Sequence, residues 1–314
     1  MLFHAVTLMF TRLRHVGAPL VLALGVAFLP RPALALEPVT LKQHWVPGKI
    51  YHFINDDHME TEVTVMNQQI TQRSDTVTSY SCAVQGADDA GRVRITVTID
   101  RMTINADATP QRVSFDSARP EVGNTTPATA AAARLAGKPF NVVLNERNQT
   151  AEVQDWARFA QEIGPAATTF TEASAREIVL QTMIKGLPFH PLRPFENWPM
   201  QQTVEVPQAG TLQVRGGYTL RGVEMHEGFL CAEFGADAQL SFEPFSNAPL
   251  KVRMENASAS ETSWMDVQLG MLRYISLVEN YSLVMANPMD RSQPLRIPSK
   301  RWVKSTLDRV EDIR

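Results

Sequence analysis

Alternation of apolar and polar residues with a period of two is the feature that most constrains how this chain folds. The pattern is clearest after residue 48, where Tyr51, Phe53 and Val63 fall on one side of a single stretch. Successive side chains of a β-strand point to opposite faces, so this pattern predicts a half-buried antiparallel strand. The other side of the same stretch is polar and carries His52, Asp56, His58, Glu60 and Glu62.

Similar strand-like stretches lie on both sides of a region with helical character. Apolar residues recur at helical spacing within 155–163 and 172–185, which predicts two helices. Four prolines between residues 187 and 199 predict a linker after them. We predict strands at 76–84, 92–104, 111–116, 139–144 and 150–153 before this region, and at 202–206, 211–223, 228–242, 250–257, 262–267 and 271–285 after it.

Two segments have weaker patterns. Residues 118–136 are rich in Pro, Thr and Ala, and we expect a surface loop with about one helical turn there. The tail from residue 287 has no clear period, and we expect its apolar residues to dock as a last helix. Those residues are Trp302, Val303, Leu307 and Val310.

These segments together predict a mainly β (α+β) fold. We expect long antiparallel strands in a two-layer sheet or a curved half-barrel, with a helical insertion near 155–186. Residues 36–314 are expected to form a single β-rich domain, with halves at 37–153 and 195–290. Each half opens near a tryptophan, Trp45 or Trp198, which suggests a weak internal duplication. The alternative is that the two halves are similar by chance, because strand-rich segments of any β protein share such features.

The first 35 residues have the features of a secretory signal peptide. Arg12 and Arg14 precede an apolar run from Val16 to Leu29, and Ala33-Leu34-Ala35 supplies small residues for cleavage. The run is shorter than the roughly 20 residues of a membrane span, although an uncleaved anchor is the alternative. No cysteine follows the cleavage point closely, so we do not expect a lipoprotein. We also expect no transmembrane segment after cleavage.

Charge excludes one class of partner. The chain has 30 Lys+Arg against 33 Asp+Glu, a net charge of −3. Removal of the signal peptide takes three arginines and no acid, which leaves 27 basic against 33 acidic residues and a net charge of −6. A mildly acidic protein has no electrostatic reason to bind phosphate backbones, so we expect no nucleic-acid partner.

The two cysteines leave two alternatives open. Cys82 and Cys231 both lie in apolar, strand-like surroundings. An exported protein meets an oxidising compartment, where a disulfide between them is chemically allowed. Two buried free thiols are the other interpretation, because sequence does not show whether the two residues come close enough to join.

His52, Asp56 and His58 are weak candidates for a metal site, because imidazole and carboxylate groups are common metal ligands. They lie in one flat row, whereas metal ligands usually converge from several elements, so a solvated polar face is the preferred interpretation. The chain has no nucleophile, zinc or phosphate-loop motif, and we predict no catalytic residue and no cofactor.

Several short phrases resemble a family of exported bacterial envelope proteins catalogued only as a domain of unknown function. The matching segments are Val46–Tyr51, Leu135–Phe140, Leu187-Pro188, Gly228–Ala232 and Trp264–Leu272. The glycine-aspartate turn usual before the second tryptophan is replaced here by Glu196-Asn197. The resemblance implies a bacterial protein that is periplasmic or secreted and rich in β-structure, and it carries no catalytic residues.

We therefore expect a non-catalytic exported protein that binds an apolar or envelope ligand, or an envelope protein partner. One alternative is an exported hydrolase that uses carboxylates, and another is a purely structural envelope protein. The candidate carboxylates of the hydrolase are Asp56, Asp57, Asp116 and Asp266.

Overall fold

A computed structural model gives the fold of the chain from residue 37 onward. The predicted signal peptide, residues 1–35, lies outside the described residues. The structure describes residues 37–65, 68–108, 111–123, 126–147, 149–206, 209–246, 248, 251–286 and 294–313.

Strands dominate the described part of the chain. They are β1 (Lys49–Val65), β2 (Gln68–Ala87), β3 (Val93–Ala108), β4 (Gln111–Asp116), β5 (Pro139–Asn145), β6 (Thr150–Gln154), β7 (Asn197–Val206), β8 (Gly210–His226), β9 (Phe229–Pro244), β10 (Arg253–Asp266), β11 (Met271–Met285) and β12 (Leu295–Asp312). The helices are α1 (Pro127–Leu135), α2 (Trp156–Ile163) and α3 (Glu172–Leu180), with a 3-10 turn at Gly164–Thr168.

All twelve strands belong to one antiparallel sheet. Its order is β6-β5-β3-β2-β1-β12-β11-β10-β9-β8-β7, and β4 pairs with β3 beside this path. The sheet is curved and does not close, with β6 and β7 at its two ends. The prediction of a mainly β fold with a curved sheet is therefore confirmed.

The C-terminal strand β12 lies in the middle of the sheet, which corrects the prediction of a last helix. It pairs with β1 on one side, where Ser305 faces Asn55, and with β11 on the other, where Ser305 faces Ile275. Strands at the start and the end of the chain therefore meet. Pro298 lacks a ladder donor, and it lies beyond the last β1 pair, Thr61 with Ser299.

The helices pack mainly against the β1–β6 half of the inner face. Phe159 and Ile163 of α2 and Val179 of α3 are buried against this half. Helix α1 corrects the predicted loop at 118–136, and its N-cap Thr126 accepts a hydrogen bond from the Thr129 amide. Helix α3 ends at Leu180, five residues before its predicted end. No helix in the described part of the chain has the length and apolarity that a membrane span needs.

Three apolar clusters lie along the inner face. The first joins the helices to β1–β6 and includes Trp45, Tyr51 and Phe53. The second gathers Trp198, Tyr218 and Phe234 from β7–β9, with the Trp198 ring stacked on Tyr218 at 5.7 Å between centroids. The third lies at the other ends of β9–β12 and packs Leu240 and Tyr281 together with Leu283 and Ile297. The half of the sheet away from the helices therefore also has buried apolar residues, some of them packed against the N-terminal segment and the linker.

A second likeness between the halves, an aromatic residue and an acid within the strand segments 114–117 and 263–267, lies in two different surroundings. Phe115 of β4 is buried in the first cluster. Trp264 of β10 is half-buried, and its ring stacks on His226 at a centroid distance of 4.2 Å. The duplication therefore stays a prediction.

A pair of introduced cysteines tests the central position of β12. Asn55 and Ser305 face each other on the inner side, so N55C/S305C should form a disulfide that joins the two ends of the chain. Non-reducing electrophoresis would show a faster band that disappears on reduction. The control N55C/T306C places its thiols on opposite faces and should not cross-link. Equal cross-linking of both variants, or none of the first, would contradict the register.

Candidate functional site

An open apolar cleft of about 320 Å³ lies at one end of the sheet. Its size is at the lower end of the range typical of small-molecule sites. The lining residues come from the N-terminal segment, the linker and β8; they are Glu37, Pro38, Val39, Thr40, Pro194, Leu220, Gly222 and Val223. Most of this lining is apolar.

Backbone pairing holds the N-terminal wall of the cleft in place. Val39 and Leu192 form an isolated antiparallel bridge, with N···O distances of 2.9 and 2.8 Å. Leu192 and the nearby Leu41 are buried in the second cluster. The N-terminal segment and the linker, which form this wall, are therefore both attached to the core.

A β-bulge in β8 shapes the floor of the cleft. The register shifts between Leu220 and Gly222, so Arg221 is the extra residue. The Arg221 guanidinium pairs with Glu233 at 2.9 Å and lies over Gly235 of β9. Leu220 is fully buried in the second cluster, and Val223 packs against that cluster. The bulge thus directs the charged side chain of Arg221 away from the apolar side chains of Leu220 and Val223, which face the second cluster.

Exposed apolar side chains occur in the linker and in the β8–β9 hairpin, the two segments next to the cleft lining, and we call Phe189, Phe195, Met225, Phe229 and Leu230 the apolar rim. The side chains of Phe189 and Phe195 are 78% and 74% exposed, and that of Met225 is 64% exposed. Met225 lies two residues beyond Val223 and faces Leu230 across the hairpin. The Phe195 amide donates to the Leu220 carbonyl at 2.6 Å, beside the cleft floor.

Phe195 is held in a strained backbone conformation. Its φ is +67°, a left-handed value that is uncommon for a bulky side chain. Glu196 closes the loop by accepting from the Arg193 amide at 2.9 Å and by contacting His190 Nε2 at 2.6 Å. These two interactions, the amide first, lower the pKa of Glu196. The loop is therefore fixed with the Phe195 ring directed into solvent.

The inner face also contains polar side chains between its apolar clusters. Tyr218 Oη donates to Glu261 Oε2 at 3.4 Å, and burial raises the pKa of Glu261. Arg301 of β12 donates to Asp57 at 2.7 Å and to Glu279 at 3.0 Å. Burial alone would lower the pKa of Arg301, but the two carboxylates raise it. This ion triad links β1, β12 and β11 across the middle of the sheet.

The predicted metal-ligand row lies on the outer face of β1. His52 Nε2 lies 3.6 Å from Glu311, while His58 contacts Asp75 on the neighbouring strand. Asp56 is exposed between them. Each of the two histidines thus contacts a different carboxylate. Among the residues that the structure describes, no three His, Cys, Asp or Glu side chains are grouped to hold a metal.

The structure does not bring together the four carboxylates of the hydrolase alternative. Asp56 faces solvent, and Asp57 belongs to the ion triad with Arg301. Asp116 pairs with Arg101 at 2.6 Å, which lowers the pKa of Asp116 to about 2. Asp266 pairs with Arg273 at 2.8 Å and accepts two amide hydrogen bonds from its own turn. Asp57, Asp116 and Asp266 thus each form an ion pair with a different arginine.

Sequence reasoning missed the cleft and its rim. The lining residues near positions 38, 194 and 222 are far apart in the chain, and only the fold joins them. A signal was present in the hairpin 225–230, where three large apolar residues flank a turn that is normally polar. Two phenylalanines in the proline-rich linker were a second signal.

Comparison with known proteins gives a likeness in fold. No family model and no curated protein matches the chain. A structure that describes lipid–protein interactions in lipovitellin matches with a TM-score of 0.52 and 11% identity, covering 86% of this chain and 26% of lipovitellin. This chain thus spans about a quarter of the lipovitellin chain, and at this identity the likeness shows the fold alone.

Bacterial structures also match, with much lower scores. A DUF1329 family protein from Desulfovibrio piger has a TM-score of 0.17 and 8% identity, covering 83% of this chain and 85% of its own. An outer membrane lipoprotein-sorting protein domain from Vibrio parahaemolyticus has a TM-score of 0.14 and 8% identity, with the same coverage of 83% and 85%. Scores this low carry no argument, so membership of the predicted envelope family stays a prediction.

The structure predicts that the two cysteines stay unbridged. Both are buried and free. Cys82 faces the inner side on β2, whereas Cys231 lies beside Asp266 on β9, five strand positions away. That separation is about 24 Å along the sheet, and a disulfide needs Cα atoms within about 7 Å. Alkylation without reductant, followed by mass spectrometry, should add two groups after unfolding. A linked pair of cysteine peptides would contradict this prediction.

Burial of Glu261 predicts a pH-dependent stability. Because its pKa is raised in the folded state, the folded chain holds this proton more tightly than the unfolded chain does. The stabilisation is complete below the ordinary pKa of 4.5 and is lost as pH rises through the folded value. Glu261→Gln should therefore raise Tm at pH 7 and leave it nearly unchanged at pH 4. Glu243→Gln, an exposed change on β9, is the control; an equal shift at both pH values would contradict the account.

Proposed function

We propose that this chain is an exported, non-catalytic envelope protein that binds an apolar ligand in the cleft between the N-terminal segment and β8. The observation that carries this proposal is the open apolar lining beside the exposed apolar rim. Displacement of water from an apolar cleft by an apolar ligand is favourable.

The chemistry of the lining supports binding rather than catalysis. Of the described residues around the cleft, Glu37 is the ionisable one, and Thr40 supplies a hydroxyl group. General acid–base catalysis depends on titratable groups held within hydrogen-bond reach of the reacting atoms, and this lining offers one such group. A mostly apolar pocket with a single acid at its edge suits an apolar molecule that carries one polar end.

The fold and the predicted signal peptide support the same proposal. Lipovitellin, whose structure describes lipid–protein interactions, shares the fold over 86% of this chain. The predicted signal peptide at residues 1–35 would deliver the mature chain across a membrane. We propose residues 36–314 as one mature domain in the periplasm or outside the cell, since every described strand shares one sheet.

A single substitution in the cleft tests the proposal. Val223→Asn places an amide against the apolar lining, where an unpaired polar group costs about 1–3 kcal/mol. We expect the variant to bind N-phenyl-1-naphthylamine, a small apolar dye, about tenfold more weakly than the unchanged chain. Fluorescence titration measures this affinity, because the dye becomes brighter in apolar surroundings.

The matched control is Val122→Asn. Val122 receives the same change in side chain, but it is 74% exposed and lies in a loop outside the cleft lining. It should leave the dye affinity unchanged. Equal affinities of the two variants, or no saturable binding by the unchanged chain, would refute the ligand proposal. The exposed apolar rim would then favour the second candidate function, docking of an envelope protein partner.

A further inference from the structure

A second hollow lies on the outer face of the sheet, opposite the apolar clusters. Its volume is about 300 Å³, and it crosses β8 to β11. Backbone of Gly216, Ala238 and Ala259 lines it together with polar side chains. We call this feature the outer hollow; its polar residues are Arg215, Asp237, Gln239, Ser258, Ser260 and Asn280.

The polar side chains of the outer hollow differ from their neighbours because they have no hydrogen-bond or ion-pair partner among the described residues. Elsewhere on this face, polar side chains pair across strands, as in Thr203 with Gln213 at 2.9 Å and Thr219 with Asn197 at 2.6 Å. Within the described part of the chain, the hollow's six side chains make no hydrogen bond or ion pair. Their donors and acceptors are therefore available to a ligand.

Gly216, which lines the hollow, lies where the backbones of β8 and β9 approach closely. A Cβ atom at Gly216 would lie 2.0 Å from the Asp237 carbonyl oxygen and 2.7 Å from the Ala238 Cα. Only glycine permits this contact between β8 and β9. Gly217 follows directly and, having no side chain, leaves space opposite Asp237, its partner in the ladder.

A β-bulge adds to the shape of the hollow. The β10 register shifts between Glu255 and Ser258, and Asn256 within the bulge has a φ of +51°. Bulges of this kind re-aim side chains and are frequent beside functional sites. Here the strand leaves the bulge at Ser258, which faces Gln239 on one side and Asn280 on the other.

We propose that the outer hollow binds an uncharged, hydroxyl-rich ligand of the size of a mono- or disaccharide. Amide, carboxylate and guanidinium groups present planar sets of donors and acceptors, and sugar hydroxyls both donate and accept. Arg215 and Asp237 carry opposite charges, so the hollow has no net charge to select a phosphate or a cation. This site is separate from the apolar cleft and does not depend on the function proposed for it.

Saturation-transfer NMR with maltose and N,N′-diacetylchitobiose as probes tests the site. The hollow is shallow, so we expect affinities of about 1–10 mM, a range that this method detects. Asp237→Ala should reduce the transfer at least fivefold, and Asp237→Asn, which keeps the hydrogen-bonding shape, should reduce it less. Glu243→Ala, an exposed acid on the same strand β9, is the control and should have no effect.

The outcomes separate clearly. Transfer that falls in Asp237→Ala and Asn280→Ala but not in Glu243→Ala supports the proposal. Absence of transfer from both sugars at about 10 mM overturns it, as does equal transfer in every variant. The three changed side chains are exposed, so we expect each variant to keep the Tm of the unchanged chain. Thermal melting checks this and so separates a loss of binding from a loss of folding.

Discussion

Strand β12 is hydrogen-bonded on both of its edges, and the continuity of the sheet depends on this double pairing. It joins β1, which begins the first half of the chain, to β11, which ends the second. Arg301 adds a side-chain link, because its guanidinium binds Asp57 on β1 and Glu279 on β11. Without β12, each half would expose the edge of a long strand and lose its neighbour across the inner face.

Continuity of the sheet explains where the site lies. Helices α1–α3 pack mainly on the inner face of one half, whereas the other half has its own apolar clusters around Phe234 and Leu240. At the end of that second half, the N-terminal segment crosses to meet the linker at Leu192 and leaves an apolar cleft against β8. The rim of exposed side chains, Phe195 and Met225 among them, continues that surface into solvent.

Most strands were predictable because one side of each carries apolar residues, as Tyr51 and Phe53 show. Strand β12 was not, because its inner positions include Ser299, Arg301 and Ser305. These polar residues face inward where the sheet has partners for them, so the period of two is hidden. Alternation of apolar and polar residues can be recognised in the sequence. The ion pairs that let a polar residue such as Arg301 occupy an inner position cannot, because their partners lie far away in the chain.

Helix α1 was missed for a different reason. Its Ala- and Thr-rich sequence has little apolar contrast, and a proline such as Pro127 is as typical of a loop as of the first residue of a helix. The candidate site was hidden by distance along the chain, since Val39, Pro194 and Val223 meet only after folding. Export, by contrast, was predicted from local residues alone, because a signal peptide is a local feature.

Native mass spectrometry of the protein, isolated without detergent from the envelope fraction of cells that make it, tests the central claim most directly. The account predicts a population heavier than the mature polypeptide by the mass of one small apolar molecule, and organic extraction should remove this added mass. A single species at the polypeptide mass, from gently handled and folded protein, would contradict the account.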